Sequence, residues 1–257
     1  MKKVFSVLMV ALTMTAMVAC GEKENEVSTP SDNAGGNDNL GGGGGTSTSE
    51  WVDLGLPSGL LWASHNIGAS TPEEAGNYYA WGETQPKVQY SDENYKYYIP
   101  DGETTHGGLT KYCNDSEYGY HGFVDALTTL VDTDDVAAST LGNGARIPTK
   151  NDWKELLDNC TGEWVMQNEM FGYRLTGTNG NSIFLPSPGY RDDTETYYEG
   201  DGFYWSSTLA FDAPESGADD PDYAWCFWHA YTSDNAEMTY TTRSRGLSVR
   251  PVRTASH

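Results

Sequence analysis

Phe5 is the lone aromatic residue before Trp51, although the chain holds 17 Tyr, 8 Trp and 7 Phe. A core built from rings can therefore begin no earlier than Trp51. Residues 21–49, GEKENEVSTPSDNAGGNDNLGGGGGTSTS, carry almost nothing apolar and include an unbroken glycine run from Gly41 to Gly45. Such a segment cannot bury enough surface to offset its ordering entropy, so residues 20–49 are expected to be a flexible tether. The folded domain is expected over residues 50–254, with a short tail at 255–257.

The first residues read as an address. Lys2 and Lys3 form a positive start, an apolar run follows to about Val18, and small residues close it. That pattern is a secretory signal peptide over residues 1–19, too short for a comfortable membrane span. Met17-Val18-Ala19-Cys20 resembles a bacterial lipobox, which implies lipidation at Cys20. Two acyl chains there would anchor the chain stably. Glu22, Glu24 and Glu26 resemble the export signal of surface-displayed lipoproteins. The expected location is the outer membrane, facing outward.

Charge narrows the partners. The formal net charge is −22. A chain this acidic does not grip nucleic acid through a basic surface, and its contact with membrane is expected through the lipid alone. Its field favours neutral or cationic ligands.

Long helical periodicity is rare. Trp153, Leu156 and Leu157 place one helix over Lys150 to Asn159, with Thr149 as N-cap and Asp152 completing a capping box. A short helix is expected to start at Thr71-Pro72-Glu73-Glu74, and another to run from Asp134 to about Leu141. Strand signals are short: 172–176, 182–185, 202–207, 223–231 and 247–253. Thr178-Asn179-Gly180-Asn181 supplies hairpin chemistry between the first two.

Six segments occur in order across the folded region: WVDLGLPSGLLWASHNIGA (51–69), YYAWGET (78–84), GNGARIPTKNDWKELLDNC (142–160), IFLPSPGYR (183–191), YWSS (204–207) and GLSVRPVR (246–253). Together they resemble the major paralogous domain (FISUMP-type) family of bacterial surface lipoproteins. That family looks like a branch of the C-type-lectin-like fold shared with formylglycine-generating enzymes. The resemblance implies a loop-rich α+β domain with short antiparallel strands and about two short helices.

This fold carries enzymes, lectins and variable binders alike, so function must come from the site. The C-terminal part holds only Cys226, flanked by apolar Trp225, Phe227 and Trp228, which quiets a thiol. A non-enzymatic role is therefore expected. Gln85-Pro86-Lys87 departs from the calcium-lectin pattern. Acid groups at Asp134/Asp135, Asp192/Asp193 and Asp219/Asp220/Asp222 leave Ca²⁺ as an open candidate beside plain solvated charge, and no other cofactor is expected.

The remaining candidate is the stretch 203–245. Tyr, Trp, Ser and Asn are the residues of adaptable binding surfaces, and equally of a ring-rich core. The candidate ligand-binding residues are Trp205, Tyr223, Trp225, His229, Tyr231, Asp234, Asn235, Tyr240 and Arg243. In strand 223–231 the small residues Ala224, Cys226 and Ala230 share a face with Trp228, and that face is expected to be the packed one. The layout also resembles targets of diversity-generating retroelements, which implies variable binding residues just before a constant closing strand. The expected function is a surface lipoprotein that binds an extracellular protein or glycan. A structural subunit of a surface or fimbrial assembly, and a degenerate formylglycine-type enzyme, are the alternatives. With Cys20 lipidated, Cys113–Cys160 is the economical disulfide, leaving Cys226 free.

Overall fold

In the computed structural model, residues 50–100, 108–211, 221–233 and 235–255 are described. Cys20, Asp234, Asp219 and Asp220, and the signal and tether segments, lie outside them. Strands β1 (Trp51–Asp53) and β2 (Leu60–Ala63) open the domain. Helices α1 (Val136–Leu141) and α2 (Lys150–Asn159) lead into β3 (Thr161–Gln167), β4 (Met170–Thr176) and β5 (Ser182–Pro186). Then come β6 (Tyr190–Asp192), β7 (Glu195–Tyr197), β8 (Asp201–Leu209), β9 (Tyr223–Ala230), β10 (Asn235–Thr242) and β11 (Val252–Thr254). Among the described residues, the sheets are β1-β2-β11, β3-β4-β5, β6-β7 and β10-β9-β8, and all their strand pairs are antiparallel. The fold is α+β and rich in loops. No helix among the described residues is long and apolar enough to cross a membrane.

Local chemistry accounts for the helices. Thr149 accepts from the backbone of Asp152, and the Asp152 side chain returns to Thr149, so the capping box closes at its expected place. The Asp135 carboxylate accepts from Ala137 and Ala138 and also from the Ile147 backbone, which starts α1 two residues later than expected. Thr71-Pro72-Glu73-Glu74 forms a turn instead of a helix. The Glu74 side chain accepts from the Ser70 backbone and the Glu73 side chain accepts from Gln167 and Asn168, so these acids brace loops.

Sheet β10-β9-β8 divides the core. Alternate residues of a strand must face opposite ways, and they do: Tyr204 and Phe227 join Trp62, Trp153 and Leu156 on one side. Trp205 and Cys226 join Trp81, Tyr112 and Val249 on the other. Both faces of β9 are therefore packed, which corrects the expectation of a single packed face. Helix α2 covers the face that was expected to be open, with Trp153 stacked on Phe227 at 4.9 Å.

Trp62, Trp81, Trp153 and Trp205 are fully buried. Each removes about 200 Å² from water, worth on the order of 5 kcal/mol before entropy is counted. The Trp153 indole donates to the Trp205 carbonyl at 3.2 Å, and the Trp205 indole donates to the Tyr79 carbonyl at 2.6 Å. Arg250 is equally buried. It donates to Asn66 Oδ1 and to the carbonyls of Ala63, Ser64 and Phe184, joining three segments of loop and strand.

The Cys113–Cys160 pairing is not formed. Both thiols are free: Cys113 sits in the Trp81 cluster and Cys160 packs against the Trp153 cluster. Cys113 donates to the Asp115 carbonyl at 3.0 Å instead.

Candidate functional site: an aromatic groove beside the outer strand

Strand β8 follows the β6–β7 hairpin directly, and this places tyrosines beside the rings of the central sheet. Asp193 and Tyr198 adopt positive φ, of 52° and 54°, at the two ends of β7. The second of these bends swings Tyr198 out, where it is 63% exposed. Its ring stacks on Tyr190 at 5.8 Å, and Phe203 meets Tyr190 edge-on at 5.0 Å. Phe203 lies opposite Trp228 in the β8–β9 register, and their rings stack at 6.3 Å.

These rings wall a groove of about 330 Å³ whose other side is Thr239, Tyr240, Thr241 and Arg245. Its polar groups are fixed. The Trp228 indole donates to Asp201 Oδ2 at 3.1 Å. Arg245 lies 4.8 Å over the Tyr190 ring, donates through Nε to Asp192 Oδ2 at 2.9 Å and through Nη1 to Thr241 Oγ1 at 2.8 Å. Its guanidinium is thus paired and held against the wall. Flat rings with fixed polar groups at their margin can take apolar or cationic groups and orient them.

The expected binding residues divide sharply. Trp205 and His229 are sealed in the interior and cannot meet a ligand, because both faces of the sheet are packed, and Arg243, just past β10, is almost as buried, at the wall of a small depression that it shares with Tyr223. Arg243 donates to the Tyr95 hydroxyl and to the carbonyls of Tyr112, Pro221 and Lys111, inside a cage of Trp81, Tyr95 and Tyr112 rings. His229 stands among Trp164, Tyr173, Tyr204 and Phe227 with no partner for either ring nitrogen, and burial pushes it down to about 3. Trp225 is buried under the Lys150 ammonium, 3.5 Å above its ring. Tyr223 and Tyr240 are half-buried and meet edge-on at 5.3 Å on that same face. Asn235 opens β10 and is half-buried. Tyr231 is exposed and contacts Trp164 and Phe171 of the β3–β4 hairpin.

The groove residues Tyr190, Tyr198, Phe203, Trp228 and Arg245 fall outside that expected set, whereas Tyr240, which also lines the groove, belongs to it. Trp228 shares its face with Ala224 and Cys226, which read as a packed face throughout. The readable signal was the pairing of Phe203 with Trp228 at one end of two neighbouring strands, next to Tyr197-Tyr198.

Two further depressions exist. One of about 130 Å³ is lined by Asp92, Tyr95, Asp222, Tyr223 and Arg243. A wider one of about 520 Å³ lies along the Gly142–Arg146 turn. Among the described acids of the candidate pairs, Asp134, Asp135 and Asp192 are engaged. Asp134 is buried between Lys96 and Lys111, which with Tyr97 and Tyr112 outweigh its burial and hold its carboxyl well below the usual range. Burial pushes Asp135 upward despite three backbone donors. Among the described residues no three His, Cys, Asp or Glu side chains converge as a metal site would require.

Comparison with family models, with curated proteins and with solved structures yields no match.

Proposed function

We propose that this chain is a surface-displayed lipoprotein whose domain, of C-type-lectin-like fold and major-paralogous-domain type, binds a protein or glycan ligand at the Tyr190–Phe203–Trp228 groove. The signal segment, Cys20 and the acidic tether argue for the location. The groove carries the functional reading: four rings at 5.0–6.3 Å from one another wall one depression, and Tyr198 stands open to solvent. A binder is favoured over covalent chemistry by Cys226, which is fully buried, its thiol pushed far above the ordinary value by that burial. Diversification by a retroelement belongs to the same reading and would act on the 223–245 stretch.

The test is capture from glycan and protein arrays by the full chain and by Trp228→Ala. Ligands retained by the first and lost by the second support the groove. Equal capture by both removes it.

A second reading, a subunit of a surface or fimbrial assembly, is favoured by a different patch. Met166 is 70% exposed and Tyr231 58% exposed beside half-buried Trp164 and Phe171. Concentration-dependent sedimentation of the full chain, abolished by Met166→Lys with Tyr231→Ser, would establish it.

A further inference from the structure

Resting on the groove reading, we infer that the ligand is an extended, cationic polypeptide segment that adds as a fourth strand to the outer edge of β10, laying alternate side chains along the groove. The argument begins with the sheet edges. Strand edges are templates for pairing, and proteins normally blunt them with lysine, proline, bulges or a covering segment. Three other sheet edges here are managed. The outer side of β8 exchanges backbone hydrogen bonds with Ser248. β11 is bridged by Arg146, and β5 ends in Pro186 while its Phe184 carbonyl accepts from Arg250.

β10 has none of these devices. It reads NAEMTYTT, with no proline or lysine, and pairs with β9 in unbroken register from Asn235↔Ala230 to Thr242↔Tyr223. Among the described residues no strand pairs with its outer side. β3 is also an outer strand, but the aromatic groove lies beside β10. Register puts Glu237 opposite Trp228 and Thr239 opposite Cys226, on the groove face. A strand added along Asn235–Thr239 would therefore place every second side chain beside Glu237 and Thr239, on the face that carries the Trp228 ring one strand further in, about 10 Å away and in the direction a long side chain can extend. Such addition draws affinity from backbone hydrogen bonds and specificity from pockets for alternate side chains.

Charge selects the occupant. Asp192 is matched by Arg245, whereas Glu237 is exposed and has no cation opposite it in the ladder. A second copy of this chain would bring another formal −22 to the same edge, and the tether is acidic too. Both are repelled where a lysine- or arginine-bearing strand is attracted.

The probe is a short capped peptide alternating lysine and valine, titrated against the full chain by tryptophan fluorescence with hydrogen exchange on β10. Two twins carry N-methyl groups on the lysine or on the valine amides, and a third replaces lysine with glutamate. An added strand bonds through alternate residues only. One N-methyl twin is therefore expected to bind roughly tenfold more weakly while the other binds like the parent. The glutamate twin is expected not to bind, and about 0.5 M salt to weaken the parent severalfold. Protection of β10 amides by the parent peptide supports the inference. Equal binding by both N-methyl twins, equal binding by the glutamate twin, or no peptide binding at all overturns it. If some other ligand is then still captured in a Trp228-dependent way, the groove stands and only the strand addition falls.

Discussion

Phe203 and Trp228 sit directly opposite each other in the β8–β9 ladder, with ring planes 22° apart, and together they divide the groove from the interior. Phe203 packs inward against the Trp81 cluster, whereas Trp228 is half-buried and anchored by Asp201. The two are therefore expected to respond differently to truncation. Trp228→Ala should weaken ligand binding by about tenfold or more, as loss of an aromatic anchor does, at a stability cost of about 1–2 kcal/mol. Calorimetric titration and urea unfolding of the same sample separate the two effects.

Arg243 tests the interior. Its guanidinium is buried, and its hydrogen bonds go to three carbonyls and a tyrosine hydroxyl. Arg243→Ala should cost about 3 kcal/mol or more, because those acceptors are left without donors. Arg243→Lys should recover little of this, since an ammonium cannot reproduce the fork. Urea midpoints for the three proteins decide the matter, and a fully restored midpoint for lysine would contradict the fork argument.

His229 gives the domain an acid-side weakness. Burial lowers its value from 6.5 to about 3, so the folded state holds the ring neutral while the unfolded chain protonates it. Its share of stability is intact above about pH 6.5 and erodes by about 1.4 kcal/mol per pH unit as pH falls toward 3. At about pH 5 that amounts to roughly 2 kcal/mol. His229→Phe should flatten the slope between pH 7 and about pH 5 by this amount, leaving the carboxylate contribution. Superimposable profiles for the two proteins would refute the assignment. Gly202 faces the imidazole so closely that any Cβ there would strike it, so Gly202→Ala should unfold more readily.

The thiols make a chemical prediction. With Cys113, Cys160 and Cys226 free, reduction should leave the mass unchanged. Alkylation of the folded chain near pH 8 should be slow at Cys160, whose thiol burial pushes up to about 11, and slower at fully buried Cys226. Unfolding in urea should expose all three at once.

Sequence reasoning found the parts whose information is local. Helix α2 runs over Lys150–Asn159 as expected, since Thr149, Asp152 and the Trp153–Leu156 spacing are all written within ten residues. The β4–β5 hairpin was legible for the same reason, its turn residues lying between two apolar runs. What could not be read was which face of β9 meets what. That depends on α2 meeting Trp225 and Phe227 and on the β3–β4 hairpin meeting His229, contacts made across some sixty to seventy residues of chain, and no alternation pattern encodes them. Of the expected site, Trp225 consequently fell under the helix, His229 under the β3–β4 hairpin and Trp205 in the opposite cluster. Strand β10 was hidden in a polar stretch, because an edge strand has little need of apolar alternation.

Strand β2 holds β1 on one side and β11 on the other, so Val52 and Val252 flank the same residue, Trp62. Two strand spacings put the beginning and end of the domain about 10 Å apart. The domain's path is thus a ring with a narrow gap. A few added residues would join its ends, and the chain could be reopened at the exposed Asn168-Glu169 bend without cutting the β10-β9-β8 sheet. Whatever is fused to either terminus leaves the domain from one shared corner.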